Sequence, residues 1–111
     1  MENKIVYSLV VAILNRGFAD VAMSAARSAG AKGGTVISAR SSGLHEEETF
    51  FGISIRPEKE LVLILSTEET KPAIMRSIIK HVGIETEGGG LIFALPVSDV
   101  EGIARLTNSE L

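Results

Sequence analysis

The stretch ELVLILSTEETKPAIMRSIIKHVGIETEGGGLIFAL, residues Glu60 to Leu95, decides the fold. It begins with an unbroken apolar run, which is typical of a buried strand. Apolar residues then recur at helical spacing, with Pro72 near the helix start, where a missing N–H is harmless. Gly83 predicts a helix end in the left-handed conformation. A second apolar run follows three glycines, so the stretch predicts strand, helix, strand.

The first half of the chain repeats this pattern, with the helix 53 positions earlier and the following strand 56 positions earlier. Apolar strands at 7–14 and 33–39 flank a predicted helix that ends at Gly30, the counterpart of Gly83. Both helices carry an apolar face with the same spacing. Its positions are Val21, Ala22, Ala25, Ala26 and Ala29 in the first helix and Ile74, Met75, Ile78, Ile79 and Val82 in the second.

Two successive β-α-β units predict an α+β fold of the ferredoxin-like type. In that fold a four-stranded antiparallel sheet carries both helices on one face. A length of 111 residues corresponds to a single domain, 1–111.

The strands are apolar on both faces, although two helices can cover only one. Leu61, Leu63 and Leu65 point one way, and Val62 and Ile64 point the other. An uncovered apolar face invites association. We therefore expect a homo-oligomer, and we assign Val62 and Ile64 to the face that it buries.

Composition excludes several classes of protein. The net charge of −3 argues against a nucleic-acid surface, which needs a basic stripe. The absence of cysteine excludes disulfides and thiol chemistry. The apolar run at 5–14 is too short to span a bilayer and lacks the features of a signal peptide, so a cytoplasmic protein without membrane insertion is expected.

Three segments resemble the nitrogen regulatory protein P-II (PII-like) signal-transduction family, over about Lys4 to Arg105. They are AGAKGGTVISARSSG, RPEKELVLIL and EGGGLIFALPVSDVEGI. The resemblance implies a homotrimer with a small-molecule effector, adenine nucleotide or a small anion, in clefts between subunits. It also implies no enzymatic activity, no resident cofactor, and a loop between the second and third strands that contacts partner proteins in nitrogen or carbon metabolism.

The resemblance assigns ligand-binding roles by position. Gly88, Gly89 and Gly90 align with a glycine-rich loop that holds nucleotide phosphates, Thr35 follows Gly34 at a base-contacting position, and Gly43 aligns near the ribose. Two interpretations of the triple glycine stay open. It is either a tight turn into a strand or a nest of backbone N–H groups aimed at an anion.

Several positions depart from the family pattern. Leu91, Gly102 and Ala104 stand where the family has a lysine and two arginines, and Glu58 replaces the lysine that holds 2-oxoglutarate. Missing charge-assisted hydrogen bonds predict weak binding of a triphosphate. The only tyrosine is Tyr7, so no loop tyrosine is available for uridylylation.

The loop itself supplies the predicted partner surface. Its residues are Arg40, Ser41, Ser42, His45, Glu47, Phe50 and Phe51. Arg40 and the two serines stand at a strand end, where they can help to hold an anion. The two phenylalanines are expected to anchor the loop or line a cleft.

Two other functions remain open. His45 beside acidic residues would suit a metal-handling trimer of the CutA type, although a single histidine is weak evidence and no metal site is assigned. Asn15, Arg16 and Gly17 follow the first strand, as an acylphosphatase-like phosphate cradle would require.

Overall fold

Two β-α-β halves build one sheet in the computed structural model, which describes residues 5–42, 48–51, 53–55 and 57–102. The sheet has the order β2-β5-β1-β6 with antiparallel neighbours, and two helices pack on one face. The elements are β1 (Tyr7–Asn15), α1 (Ala19–Ser28), β2 (Thr35–Arg40), β3 (Glu48–Phe50), β4 (Ile53–Ile55), β5 (Glu58–Thr67), α2 (Lys71–Val82) and β6 (Leu91–Val97). The predicted ferredoxin-like arrangement is confirmed.

The core lies between the sheet and the helices. β1 and β5 contribute alternate residues to it, and α2 contributes Ile74, Ile78 and Val82, all without solvent exposure. Alanines on α1 let the two helices approach closely, and the Ser77 hydroxyl donates to the Ala25 carbonyl at 2.8 Å. Val21 and Ile79 are half exposed, so the apolar face of each helix is narrower than the sequence predicts.

Val62 and Ile64 face the helices, which corrects the predicted orientation of β5. Both are fully buried in the core and pair with Ala12 and Val10 of β1. Apolar residues of the intervening positions point to the opposite side of the sheet, here called the open face. They are Leu9, Val11, Ile13, Ile37, Leu61, Leu63, Leu65, Leu91, Phe93 and Leu95. Because every residue in this run is apolar, the sequence does not show which of the two alternating sets of side chains the helices cover.

The two helices end differently. Gly30 follows α1 at φ +112°, and the N–H groups of Gly30 and Ala31 donate to Arg27 and Ala26 carbonyls, forming a Schellman motif. Gly83, in contrast, is extended (φ −68°, ψ −177°), so its predicted left-handed conformation is wrong. A Cβ there would lie 2.5 Å from the Ile79 carbonyl oxygen, so close packing requires glycine. Pro72 lies in the first turn of α2, as predicted.

The loop between β2 and β5 contains a hairpin that the sequence analysis missed. Strands β3 and β4 pair with Glu48 opposite Ile55 and Phe50 opposite Ile53. Phe51 stands at the turn with φ +51° and 90% exposure. No α-helix in the described ranges is long and apolar enough to cross a membrane.

A polar cluster ties the start of β1 to α2 at the far end of the sheet. The buried Ser8 hydroxyl donates to Glu68 at 2.5 Å, and Lys71 donates to the same carboxylate at 2.8 Å. The hydrogen bond from Lys71, followed by that from Ser8, lowers the pKa of Glu68 from its ordinary value of 4.5.

This cluster predicts a pH-dependent stability. A carboxyl group whose pKa is lower in the folded state than in the unfolded state stabilises the fold at pH values above its unfolded-state pKa. This stabilisation is lost as the pH falls through the folded-state pKa. At neutral pH, Glu68→Gln should therefore unfold at a lower temperature than the wild type. The difference in Tm should shrink as the pH falls below 4.5.

Circular dichroism melts over that pH range provide the measurement, with Glu69→Gln at the exposed neighbouring position as the control. A Tm difference for Glu68→Gln that stays constant from neutral to acidic pH would contradict the prediction.

Candidate functional site

The glycine turn, Gly88 to Gly90, connects α2 to β6, and its N–H groups are used inside the chain. Gly88 donates to the Thr86 hydroxyl at 3.2 Å, and Gly89 donates to the Thr86 carbonyl at 3.0 Å. Gly90 donates to the Val82 carbonyl at 2.7 Å. An anion at this turn would have to compete with these acceptors, which favours the turn over the nest.

Close packing accounts for each of the three glycines. A Cβ on Gly90 would lie 2.3 Å from the Val82 carbonyl oxygen, and one on Gly88 would lie 2.8 Å from Val82 Cβ. Gly89 has φ +54°, and its Cβ would lie 2.7 Å from Nδ2 of Asn15. Any side chain would therefore push the turn away from α2 or from β1.

The other predicted ligand residues lie on the opposite edge of the sheet. Thr35 begins β2 and Gly34 directly precedes it, whereas the glycine turn precedes β6. β2 and β6 are the two outer strands of the sheet. A single chain therefore does not bring these two groups together. Gly43 lies outside the described residues.

Asn15 connects the glycine turn to the root of the β2–β5 loop. Its Nδ2 donates to the Glu87 carbonyl at 2.9 Å, and its backbone N–H donates to the Gly88 carbonyl at 2.9 Å. Its Oδ1 accepts from Lys59 Nζ at 2.7 Å. The sequence analysis missed this link, because it depends on the register that places Asn15 opposite Lys59.

A cleft of about 340 Å³ opens at the loop root, here called the root cleft. Charged side chains dominate its lining. The lining residues are Arg16, Ser38, Ala39, Arg40, Glu58, Lys59 and Glu60. Among the described residues of the predicted partner loop, Arg40 is the one that lines this cleft.

Two carboxylates in this cleft already have partners. Glu60 Oε1 accepts hydrogen bonds from the N–H groups of Gly17 (2.9 Å) and Ala19 (3.0 Å), so it caps the first turn of α1. Glu58 forms an ion pair with Arg16. A phosphate cradle after β1 would need these same N–H groups and this arginine, so the geometry disfavours the acylphosphatase-like interpretation.

The remaining loop residues are only partly described. The Ser41 N–H donates to the Pro57 carbonyl at 3.0 Å and closes the loop base, while Ser42 is exposed beside it. Phe50 forms the backbone pair with Ile53 in the β3–β4 hairpin. His45 and Glu47 lie outside the described residues, and within those residues no group of three or more metal-binding side chains occurs.

The comparisons with known proteins agree with this architecture. Residues 7–106 match the family model described as nitrogen regulatory protein P-II. The crystal structure of Arabidopsis thaliana PII bound to citrate is similar to the chain, with 25% identity and a TM-score of 0.64. The match covers 89% of this chain and 82% of that one. No curated protein sequence matches the chain.

The packing of the glycine turn predicts a stability difference between two glycines. Gly90→Ala should lower the free energy of unfolding by about 1–3 kcal/mol, because the added Cβ would overlap the Val82 carbonyl. Its Tm should fall markedly as a result. Gly33→Ala is the matched control, since a Cβ there would meet nothing within 4 Å. Thermal melts that show equal Tm values for the two variants would contradict the close-packed turn.

Proposed function

The chain belongs to the nitrogen regulatory protein P-II family, and we propose that it is a signalling protein that works as a homotrimer. Proteins of this family are regulatory and do not act as enzymes. In the proposal, a small-molecule effector binds in the clefts between subunits. The β2–β5 loop then contacts a partner protein of nitrogen or carbon metabolism.

The open face is the observation that carries the proposal. The apolar side chains of all four strands line this face, and no described helix covers it. Leu91 and Leu95 keep 59% and 48% exposure on β6, while Leu61, Leu63 and Leu65 are partly exposed. Burying one such leucine contributes roughly 1.5–3 kcal/mol, so association through this face is strongly favoured.

The positions of the predicted ligand residues support clefts between subunits. Gly34 and Thr35 lie at one edge of the sheet and the glycine turn at the other. If the β2 edge of one subunit faces the β6 edge of the next in a closed ring, the two groups meet there. A cyclic trimer would create three such clefts.

The proposed effector is an adenine nucleotide bound weakly, or a small anion. Leu91 follows the glycine turn in the position of the family lysine, and the N–H groups of the turn already have acceptors. Gly102 supplies no cation, and Ala104 lies outside the described residues. The structurally similar Arabidopsis protein was crystallised bound to citrate, which supports a carboxylate as a candidate for the effector here.

Association through the open face can be tested by placing a single charged side chain on that face. The wild type should sediment at about three times the chain mass of 11.8 kDa. Leu63→Glu should give a folded monomer, because a buried unpaired carboxylate is costly in the assembly but not on an exposed face. Ile64→Glu should instead prevent folding, since Ile64 is fully buried in the core.

Analytical ultracentrifugation at micromolar concentration measures the mass. Val21→Glu is the control, because Val21 is 43% exposed on the helix side of the molecule. A wild type that is monomeric, or a Leu63→Glu variant that stays trimeric, would defeat the assembly.

The missing lysine predicts a gain of function. Leu91→Lys should strengthen ATP binding by about tenfold or more, because it adds a charge-assisted hydrogen bond beside the glycine turn. Val21→Lys is the control, because it adds the same charge on the exposed helix side and not on the open face. Analytical ultracentrifugation first confirms that both variants are still trimers. Calorimetric titration with ATP gives both affinities. Equal affinities for the two variants would place the nucleotide elsewhere.

A further inference from the structure

The outward surface of the two helices carries charge of the opposite sign to the chain as a whole. The chain has 11 basic and 14 acidic residues. On α1 and α2, the exposed charged side chains are the cations Arg27, Arg76 and Lys80, against one carboxylate, Asp20. The helix layer is therefore a basic surface on an acidic protein.

The packing of the helices brings these three cations together. The Ser77 hydroxyl donates to the Ala25 carbonyl at 2.8 Å, and the two helices run antiparallel. Arg27 and Arg76 therefore stand at nearly the same height on neighbouring helices. Lys80 follows Arg76 by four residues, one turn along the same exposed stripe. The helix patch is the surface formed by Arg27, Arg76, Ile79 and Lys80.

The cations of the helix patch have no counter-charge in the described part of the chain. Within it, none of their side chains forms an ion pair or a hydrogen bond. Arg27 and Lys80 lie in the last turns of their helices, where they stabilise the negative end of the dipole. Arg76 lies in the middle of α2, four residues before a like charge, which destabilises a helix. Folding alone therefore does not account for Arg76.

We propose that the helix patch docks an acidic segment of a partner protein. The two guanidinium groups can each donate two parallel hydrogen bonds to a carboxylate. Ile79 is 50% exposed beside Arg76 and Lys80, so it offers an apolar contact within the ring of cations. The inference goes beyond the proposed function, which places the partner contact on the β2–β5 loop.

An acidic segment fits this patch better than an anionic membrane does. Basic clusters that hold anionic lipids carry about four to eight Lys and Arg side chains, whereas the patch has three. The helices also lie on the side of the sheet opposite the open face. In the proposed trimer the patches would point outward in different directions, so a flat bilayer would meet one patch at a time. A nucleic acid is disfavoured by the sequence pI of about 5.4.

Titration of the full chain with an acidic peptide tests the patch. The probe is an acetylated and amidated octapeptide of six glutamates and two leucines, and the control probe carries lysine in place of each glutamate. Amide NMR shifts should change first at Arg27, Arg76, Ile79 and Lys80, with a Kd of about 1 mM or tighter. The affinity should fall as sodium chloride is added. The absence of saturable shifts at the patch, or equal shifts with the lysine peptide, would overturn the proposal.

Charge reversal at Arg76 assigns the binding. Arg76→Glu should melt at the wild-type temperature or above it, because a glutamate four residues before Lys80 is a favourable helix pair. It should nevertheless weaken peptide binding by about tenfold or more. Lys32→Glu is the matched control, since it changes the net charge equally at an exposed position on the connection from α1 to the outer strand β2. Equal peptide affinities for Arg76→Glu and Lys32→Glu would contradict the assignment.

A vesicle experiment separates the partner segment from a lipid surface. Wild-type protein is sedimented with vesicles of phosphatidylcholine and phosphatidylglycerol, and with vesicles of phosphatidylcholine alone. The protein should stay in the supernatant with both. Sedimentation with the anionic vesicles that is lost in Arg76→Glu would show that the patch binds lipid headgroups, and the acidic protein segment would be rejected.

Discussion

The antiparallel pairing of β1 with β5 is the constraint on which the rest of the structure depends. Its register runs from Tyr7 opposite Thr67 to Asn15 opposite Lys59. This register sends Val10, Ala12, Val62 and Ile64 to the helices and leaves the alternate leucines on the open face. A shift by one residue would exchange the two sets, since side chains alternate along a strand. The same register also brings Lys59 to Asn15 and hence to the glycine turn.

The charges at the loop root illustrate how tertiary contacts change the meaning of a residue. Glu58 and Glu60 are acidic residues in the root cleft, where basic residues would be expected in a protein that binds anions. In the fold, Glu60 stabilises the positive end of the α1 dipole, and Glu58 holds Arg16. Both acidic residues therefore have structural partners within the chain.

The repeat made the fold predictable from the sequence, whereas the role of the three glycines was not predictable. The offset of 53 residues between the two helices, together with the apolar runs that flank each of them, predicted both β-α-β units. Three glycines in a row predicted a bare backbone, but a tight turn and an anion nest require the same residues. The hydrogen bonds of the turn, which use all three N–H groups, favour the tight turn, and they become visible only in the tertiary structure.

The sequence by itself determined the fold class and the family, because both follow from the order and spacing of apolar residues and glycines along the chain. The tertiary structure alone decided which face of β5 enters the core. It also decided that Gly83 is extended, and that Arg40, Ser38 and Lys59 share a cleft. These features depend on contacts between residues far apart in sequence, and local patterns carry no information about strand register or about which charges become partners.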